Sequence, residues 1–151
     1  MSARGLLMMS EKDVILVVDD HDESRRVLLR ILAMHGYSSA GASSAREALG
    51  LLDTLKPSLV IMDYHMPEMD GLALFRHIRA IPRLADVPVI VFSAADGEVR
   101  EKALGEGVNA WIVKASLDWA ELGREIKRFA GRVQATENTP QPPEPRTKGA
   151  S

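Results

Sequence analysis

Five polar residues in this 151-residue chain each follow an apolar run. Asp19 and Asp20 follow "VILVV" (14–18), Asp63 follows "SLVIM" (58–62), Ser93 follows "PVIVF" (88–92) and Lys114 follows "AWIV" (110–113). A carboxylate set straight after a greasy run loses water unless something compensates it. Three carboxylates brought together repel: two unit charges about 4 Å apart cost roughly 4 kcal/mol at an effective dielectric of about 20. A hard divalent cation relieves that repulsion, and Mg²⁺, which takes oxygen ligands octahedrally and keeps several waters, suits two or three carboxylates. Lys114 would offset remaining charge and reach an anion brought to the same place, and Ser93 would donate one more hydrogen bond. A carboxylate nucleophile, a metal on phosphoryl oxygens, and cationic and hydroxyl clamps are the parts of phosphoryl transfer.

These residues converge only if their runs are neighbouring parallel strands. Short β-branched runs read as buried strands at 14–18, 58–62 and 88–92, with a shorter one at 110–113 and a weak, polar one, "YSSAGA", at 37–42. Between them lie helical patterns. The stretch 23–36 has apolar residues at helical spacing and Gly36 as C-cap, and 44–55 opens with Ser44 and Glu47 at capping-box spacing. Further helices are predicted over 71–81 with Asp70 as N-cap, over 97–107 with Asp96 as cap, and over 117–131 with Ser116 as cap. The alternation predicts a doubly wound α/β fold: a five-stranded parallel sheet with helices on both faces. The three fully apolar runs belong inside the sheet and "YSSAGA" at an edge. In such sheets ligands sit beyond the carboxyl ends of the strands, the rim on which all five polar groups fall.

Composition narrows the function classes. A net charge of −2 gives no strong field toward nucleic acid or an anionic membrane. The absence of cysteine removes thiolate catalysis, disulfides and Cys-bound zinc, and fits a reducing compartment. No apolar run reaches the ~20 residues of a membrane span. The expected organisation is an N-terminal extension over 1–12, in which Met8 or Met9 is an alternative start, one domain over 13–131, and a disordered tail over 132–151 that holds four of the eight prolines.

The "VVDD" of 17–20, the "MDYHMPEMDG" of 62–71, the "VFSA" of 91–94 and the "WIVKA" of 111–115 resemble a response-regulator receiver domain, in order and spacing, over roughly residues 13–130. The resemblance implies the flavodoxin-like strand order 2-1-3-4-5. It implies Asp63 as phosphoacceptor, and Mg²⁺ held by Asp19, Asp20 and Asp63 with the backbone carbonyl of His65. It also implies Ser93 as switch hydroxyl, Trp111 as switch aromatic and Lys114 as the phosphate-contacting lysine. The implied partners are a histidine kinase or phosphotransfer protein and a downstream protein target, with neither nucleic acid nor membrane and with a homodimer left open. The resemblance implies a bacterial source, and a cytoplasmic setting is expected from the sequence showing no targeting signal. The chain would be a phosphorelay signalling module rather than an enzyme with a separate substrate.

Two positions depart from the family pattern. Ala115 stands where the family has proline after the lysine, and a cis non-proline peptide costs about 2.5–4 kcal/mol, which favours trans here. Trp111 is bulkier than the usual Tyr or Phe, and its simpler reading is a core tryptophan. Simpler readings also exist for Asp19 and Asp20 as helix caps, although Asp22 and Ser24 already offer caps, and for Ser93 and His65 as loop residues. His21, His35 and His77 lack metal-ligand spacing and read as surface or helix residues. Met62, Met66 and Met69 read as packing residues. Arg25, Arg26 and Arg30 read as a solvated face, and Pro67 and Gly71 as shaping the loop after Asp63, with Gly71 letting the chain turn into the next helix. Rival functions are the receiver of a longer regulator, a pseudo-receiver acting as a constitutive docking or dimerisation module, and a metal-dependent phosphatase. In the last, His65 stands where a second carboxylate is usual.

Overall fold

In the computed structural model, residues 14–94, 97–114 and 119–131 are described. Five strands form one parallel sheet in the order β2-β1-β3-β4-β5: β1 Val14–Val18, β2 Ser38–Ala42, β3 Leu59–Met62, β4 Val89–Ser93 and β5 Ala110–Val113. The helices between and after them are α1 Asp22–Met34, α2 Ala45–Leu52, α3 Gly71–Ala80, α4 Glu98–Glu106 and α5 Trp119–Ile126, with a 3₁₀ turn at Pro82–Leu84 and a π turn at Lys127–Gly131. The strand order is the one the resemblance implies. The three apolar runs are the interior strands and the polar one is an edge, because an interior strand is covered on both faces.

The two-residue side-chain period of the strands splits the core cleanly. Leu16, Val18, Val60, Met62, Val89, Val91 and Trp111 pack with residues of α2, α3 and α4 such as Ala48, Leu52, Phe75, Ile78 and Ala103. Ile15, Val17, Leu59, Ile61, Ile90, Phe92 and Ile112 pack with Leu28 and Leu32 of α1 and Leu122 and Ile126 of α5. Each fully buried Leu, Ile or Phe stabilises this arrangement by roughly 1.5–3 kcal/mol relative to exposure.

Local chemistry sets the helix ends. Ser44 Oγ accepts from the Glu47 amide at 3.0 Å, as the capping-box spacing predicts. Glu47 Oε1 reaches one residue further back than expected, accepting from the amide of Ser43 at 2.7 Å and from its hydroxyl at 2.8 Å. Asp70 Oδ1 accepts from the Ala73 amide at 2.8 Å, which caps α3. The C-cap of α1 is His35, and Gly36 is the residue beyond it with φ +88°, the left-handed position glycine takes after a helix. The N-cap position of α4 is Gly97, with no side-chain cap. The predicted caps Asp96 and Ser116, the peptide to Ala115, the extension 1–12 and the tail 132–151 lie outside the described residues.

Candidate functional site

Strand register builds the site. Val18 of β1 pairs with Met62 of β3, so Asp19 and Asp63 leave adjacent strands side by side. The Asp63 amide donates to the Val18 carbonyl at 2.9 Å, and the Asp19 amide to the Ala42 carbonyl at 3.1 Å, which carries the ladder to the first residue past each strand. Ser93 is the last residue of β4 rather than the first after it. It pairs with Val113, the residue before Lys114, and is fully buried.

The geometry brings four predicted residues together. Lys114 Nζ lies 3.2 Å from Asp63 Oδ2 and 3.5 Å from Asp19 Oδ2, a bridge between the two buried carboxylates. Its ammonium also sits 5.4 Å from the centre of the Phe92 ring. Burial pushes the Asp63 carboxyl above the usual range; Lys114 opposes that shift and the Asp19 charge adds to it. Asp20 closes the group: its Oδ1 is buried and, among the described residues, accepts no hydrogen bond. His21 Nδ1 is 3.4 Å from that oxygen, an ion-pair distance without hydrogen-bond geometry. A buried carboxylate oxygen without a donor is rare, and a cation would satisfy it. One ligand atom each from Asp19, Asp20, His21 and Asp63 lie within 4.8 Å of one another, so this donor set fits a divalent ion.

His21 is the member that sequence reasoning misses. Without metal-ligand spacing to any other histidine, it reads as a surface residue. Its ring is exposed, yet its amide donates to Asp19 Oδ1 at 3.0 Å and its Nδ1 lies 3.6 Å from the same oxygen. The available signal is its position directly after the Asp19-Asp20 pair.

The loop after β3 forms one wall. Asp20, His21, Tyr64, His65, Met66, Pro67 and Asp70 line an open cleft of about 480 Å³. The His65 ring meets Tyr64 edge-on at 4.8 Å, and Tyr64 lies 5.8 Å from Trp111. Trp111 is seated as a core tryptophan, 7% exposed, and Met62 and Met66 pack in the core as expected, with Met69 packed against it. Glu68 has φ +70°, and the Met69 amide donates to the Pro67 carbonyl at 2.7 Å across it. This is a tight γ-turn in a conformation that costs a non-glycine residue energy.

One reading is sharpened here and one corrected. Gly71 opens α3 without a positive φ. Its need is space: a Cβ there would lie 2.5 Å from the Asp63 carbonyl oxygen and 3.0 Å from Tyr64 Cα. Arg25 does not belong to a solvated face. Its guanidinium folds onto the rim, donating to the Asp19 carbonyl at 2.7 Å and to Asp22 Oδ1 at 2.7 Å. Arg26 and Arg30 are on the outer side of α1, both exposed as expected.

Residues 15–127 match the response regulator receiver domain family. The chain belongs to that family. Among curated relatives, it is 38% identical over 116 residues to an uncharacterized 14.6 kDa protein of Leptolyngbya boryana, covering 76% of this chain and 88% of that one. It is 36% identical over 115 residues to the regulatory protein AtoC of Escherichia coli, covering 76% of this chain but only 24% of AtoC. Among solved structures, the receiver domain of a signal transduction histidine kinase from Syntrophus aciditrophicus superposes with a TM-score of 0.72 at 32% identity, covering 85% of this chain and 98% of that one. The response regulator TrrA from Thermotoga maritima, in complex with Mg²⁺-BeF, gives 0.69 at 30% identity, covering 78% and 98%. This receiver domain is thus a module of the two-component signalling class, whose members work with histidine kinases and downstream targets. Among its described residues no helix is long and apolar enough to cross a membrane.

Proposed function

We propose that this receiver domain accepts a phosphoryl group on Asp63 from a histidine kinase or phosphotransfer protein in a bacterial cytoplasm, and signals by protein–protein contact. The observation that carries this reading is the Lys114 bridge: one ammonium within 3.2 Å of Asp63 and 3.5 Å of Asp19, beside the donorless Asp20 oxygen. Asp19, Asp20 and Asp63, with the backbone carbonyl of His65, would hold Mg²⁺, which when bound neutralises charge on the phosphoryl oxygens.

An Asp63 carboxylate oxygen attacks the phosphorus of a partner phosphohistidine. The O–P bond forms as the P–N bond breaks, and its electron pair returns to the imidazole. Lys114 then exchanges part of its contact with Asp63 for the new phosphoryl oxygens. Ser93, at the end of the neighbouring strand, donates its hydroxyl to the same group. Trp111 repacks together with Tyr64, against which it already lies, and the surface of α4, β5 and α5 changes partner affinity. A local charge event thereby biases a two-state element. Full conversion of such an equilibrium from about 1:99 to about 99:1 takes roughly 5.5 kcal/mol of differential stabilisation, so a partner completes what the acyl phosphate starts.

Titration with Mg²⁺ and then beryllofluoride, an acyl-phosphate mimic, tests this by tryptophan fluorescence in a Trp119→Phe background, where Trp111 is the remaining indole of the two. A saturable, Mg²⁺-dependent change that is absent in Asp63→Asn is the expected result. Mg²⁺ binding with no beryllofluoride response in fluorescence or in an NMR spectrum would instead mark a pseudo-receiver with constitutive partners. A second reading, the receiver of a longer regulator, is favoured by the small share of AtoC that this chain spans. An open reading frame running past Ser151 in the gene would establish it.

A further inference from the structure

The reading above gives the rim an all-oxygen cation site, but the geometry adds a nitrogen. His21 Nδ1 stands 3.4 Å from Asp20 Oδ1 and 3.6 Å from Asp19 Oδ1. Ligands around an octahedral ion at a metal–ligand distance of about 2.1 Å are separated by roughly 3.0 Å when adjacent and roughly 4.2 Å when opposite. Both His21 distances fall within that interval. The His21 backbone is anchored at the rim, its amide donating to Asp19 Oδ1 at 3.0 Å. The donorless Asp20 Oδ1 is the nearer of the two oxygens to the imidazole, so an ion seated between them would satisfy a buried atom that the rim leaves unpaired.

Ligand type decides which ion such a site prefers. Mg²⁺ favours carboxylate, carbonyl and water oxygens, whereas imidazole favours nickel, cobalt, copper and zinc. We infer that His21 is a metal-selecting ligand of this receiver, shifting its cation site from Mg²⁺ toward first-row transition metals with nitrogen affinity. This rests on the proposed cation site and deepens it. The ring brings its nitrogen without adding negative charge to a cluster that already holds three carboxylates. Its exposed side leaves solvent and an incoming phosphoryl group access to the remaining positions.

Calorimetric titration of the full chain with Ni²⁺ and, separately, Mg²⁺ tests the assignment, since both ions take octahedral geometry and differ in ligand preference. In His21→Ala, Ni²⁺ affinity is expected to fall about tenfold or more while Mg²⁺ affinity changes less than about threefold. The visible absorption of bound Co²⁺ is expected to move to lower energy in the variant as a nitrogen is replaced by water. A double His35→Asn and His77→Asn variant, away from the rim, checks that Ni²⁺ is not held elsewhere and should titrate as wild type. Parallel losses for both ions, or an unchanged Co²⁺ spectrum, would overturn the role of His21. Wild-type protein that binds Ni²⁺ through His21 but not Mg²⁺ supports the inference and removes Mg²⁺ from the proposed function. Protein that binds neither ion overturns both.

Discussion

The backbone of Gly71 passes so close to Asp63 that a single methyl group on it would lie 2.5 Å from the Asp63 carbonyl oxygen. The contact is fixed from the other side by the Gly71 amide, which donates to the Tyr64 carbonyl at 2.7 Å. The start of α3 therefore clamps the strand end that carries the proposed nucleophile.

Gly71→Ala should push that strand end outward. We expect a loss of about 1–3 kcal/mol from overpacking against backbone, together with weaker Mg²⁺ binding, because Asp63 moves with its carbonyl. Gly50→Ala is the contrast: it lies in α2, where an added methyl group would meet nothing within 4 Å, and should stabilise by about 0.5–1 kcal/mol. Urea unfolding and Mg²⁺ titration of the two variants check the pair.

Lys114→Ala removes the cation between two buried carboxylates. Without metal, the variant should lose about 2 kcal/mol, the scale of a charged hydrogen bond. Its Mg²⁺ affinity should rise, since the site becomes more negative, while its beryllofluoride response should disappear. Opposite movement of the two titrations is the signature to look for; parallel movement would mean Lys114 only supports the fold.

Asp63 has a folded-state carboxyl raised above its ordinary value of 3.8, chiefly by burial. A raised carboxylate binds more protons folded than unfolded, so its ionisation costs stability as pH climbs through and beyond the ordinary value. In chelator, Asp63→Asn should therefore melt higher than wild type at about pH 7.5, with the gap shrinking as the buffer approaches about pH 4. Saturating Mg²⁺ should also shrink the gap, because the ion stabilises the ionised wild type. Scanning calorimetry across pH measures both trends.

At the start of α2 the sign is reversed. Two hydrogen bonds from Ser43 hold the Glu47 carboxyl below its ordinary value of 4.5, so its contribution is present above that pH and fades as pH falls below it. Glu47→Gln should be less stable than wild type near neutral pH and match it in acid. Ser44→Ala, which deletes the cap on the Glu47 amide, should cost about 1 kcal/mol at either pH. Thermal melts of the two variants in neutral and acid buffer separate the charge-dependent contribution from the pH-independent one.

The elements and the rim are legible in the sequence because they follow from short-range rules. Burial of β1, β3 and β4 on both faces shows as unbroken apolar runs, and Asp63 and Lys114 stand where apolar runs stop. The Ser44 and Asp70 caps show for the same reason, since a cap and its helix are sequence neighbours. Strand order is not readable from pattern, because a parallel crossover leaves no mark of which neighbour a strand will choose; it comes from family resemblance. Three-dimensional approach decides the rest. That Lys114 reaches both Asp63 and Asp19, that Arg25 folds onto the Asp19 carbonyl, that Gly71 is needed for room, and that the His21 ring turns back over the carboxylates all depend on distances between chain segments. Residue type and spacing name the groups that arrive at the rim; only packing and register set which atoms touch, because angstrom-scale separations are fixed by the whole core rather than by any local stretch of chain.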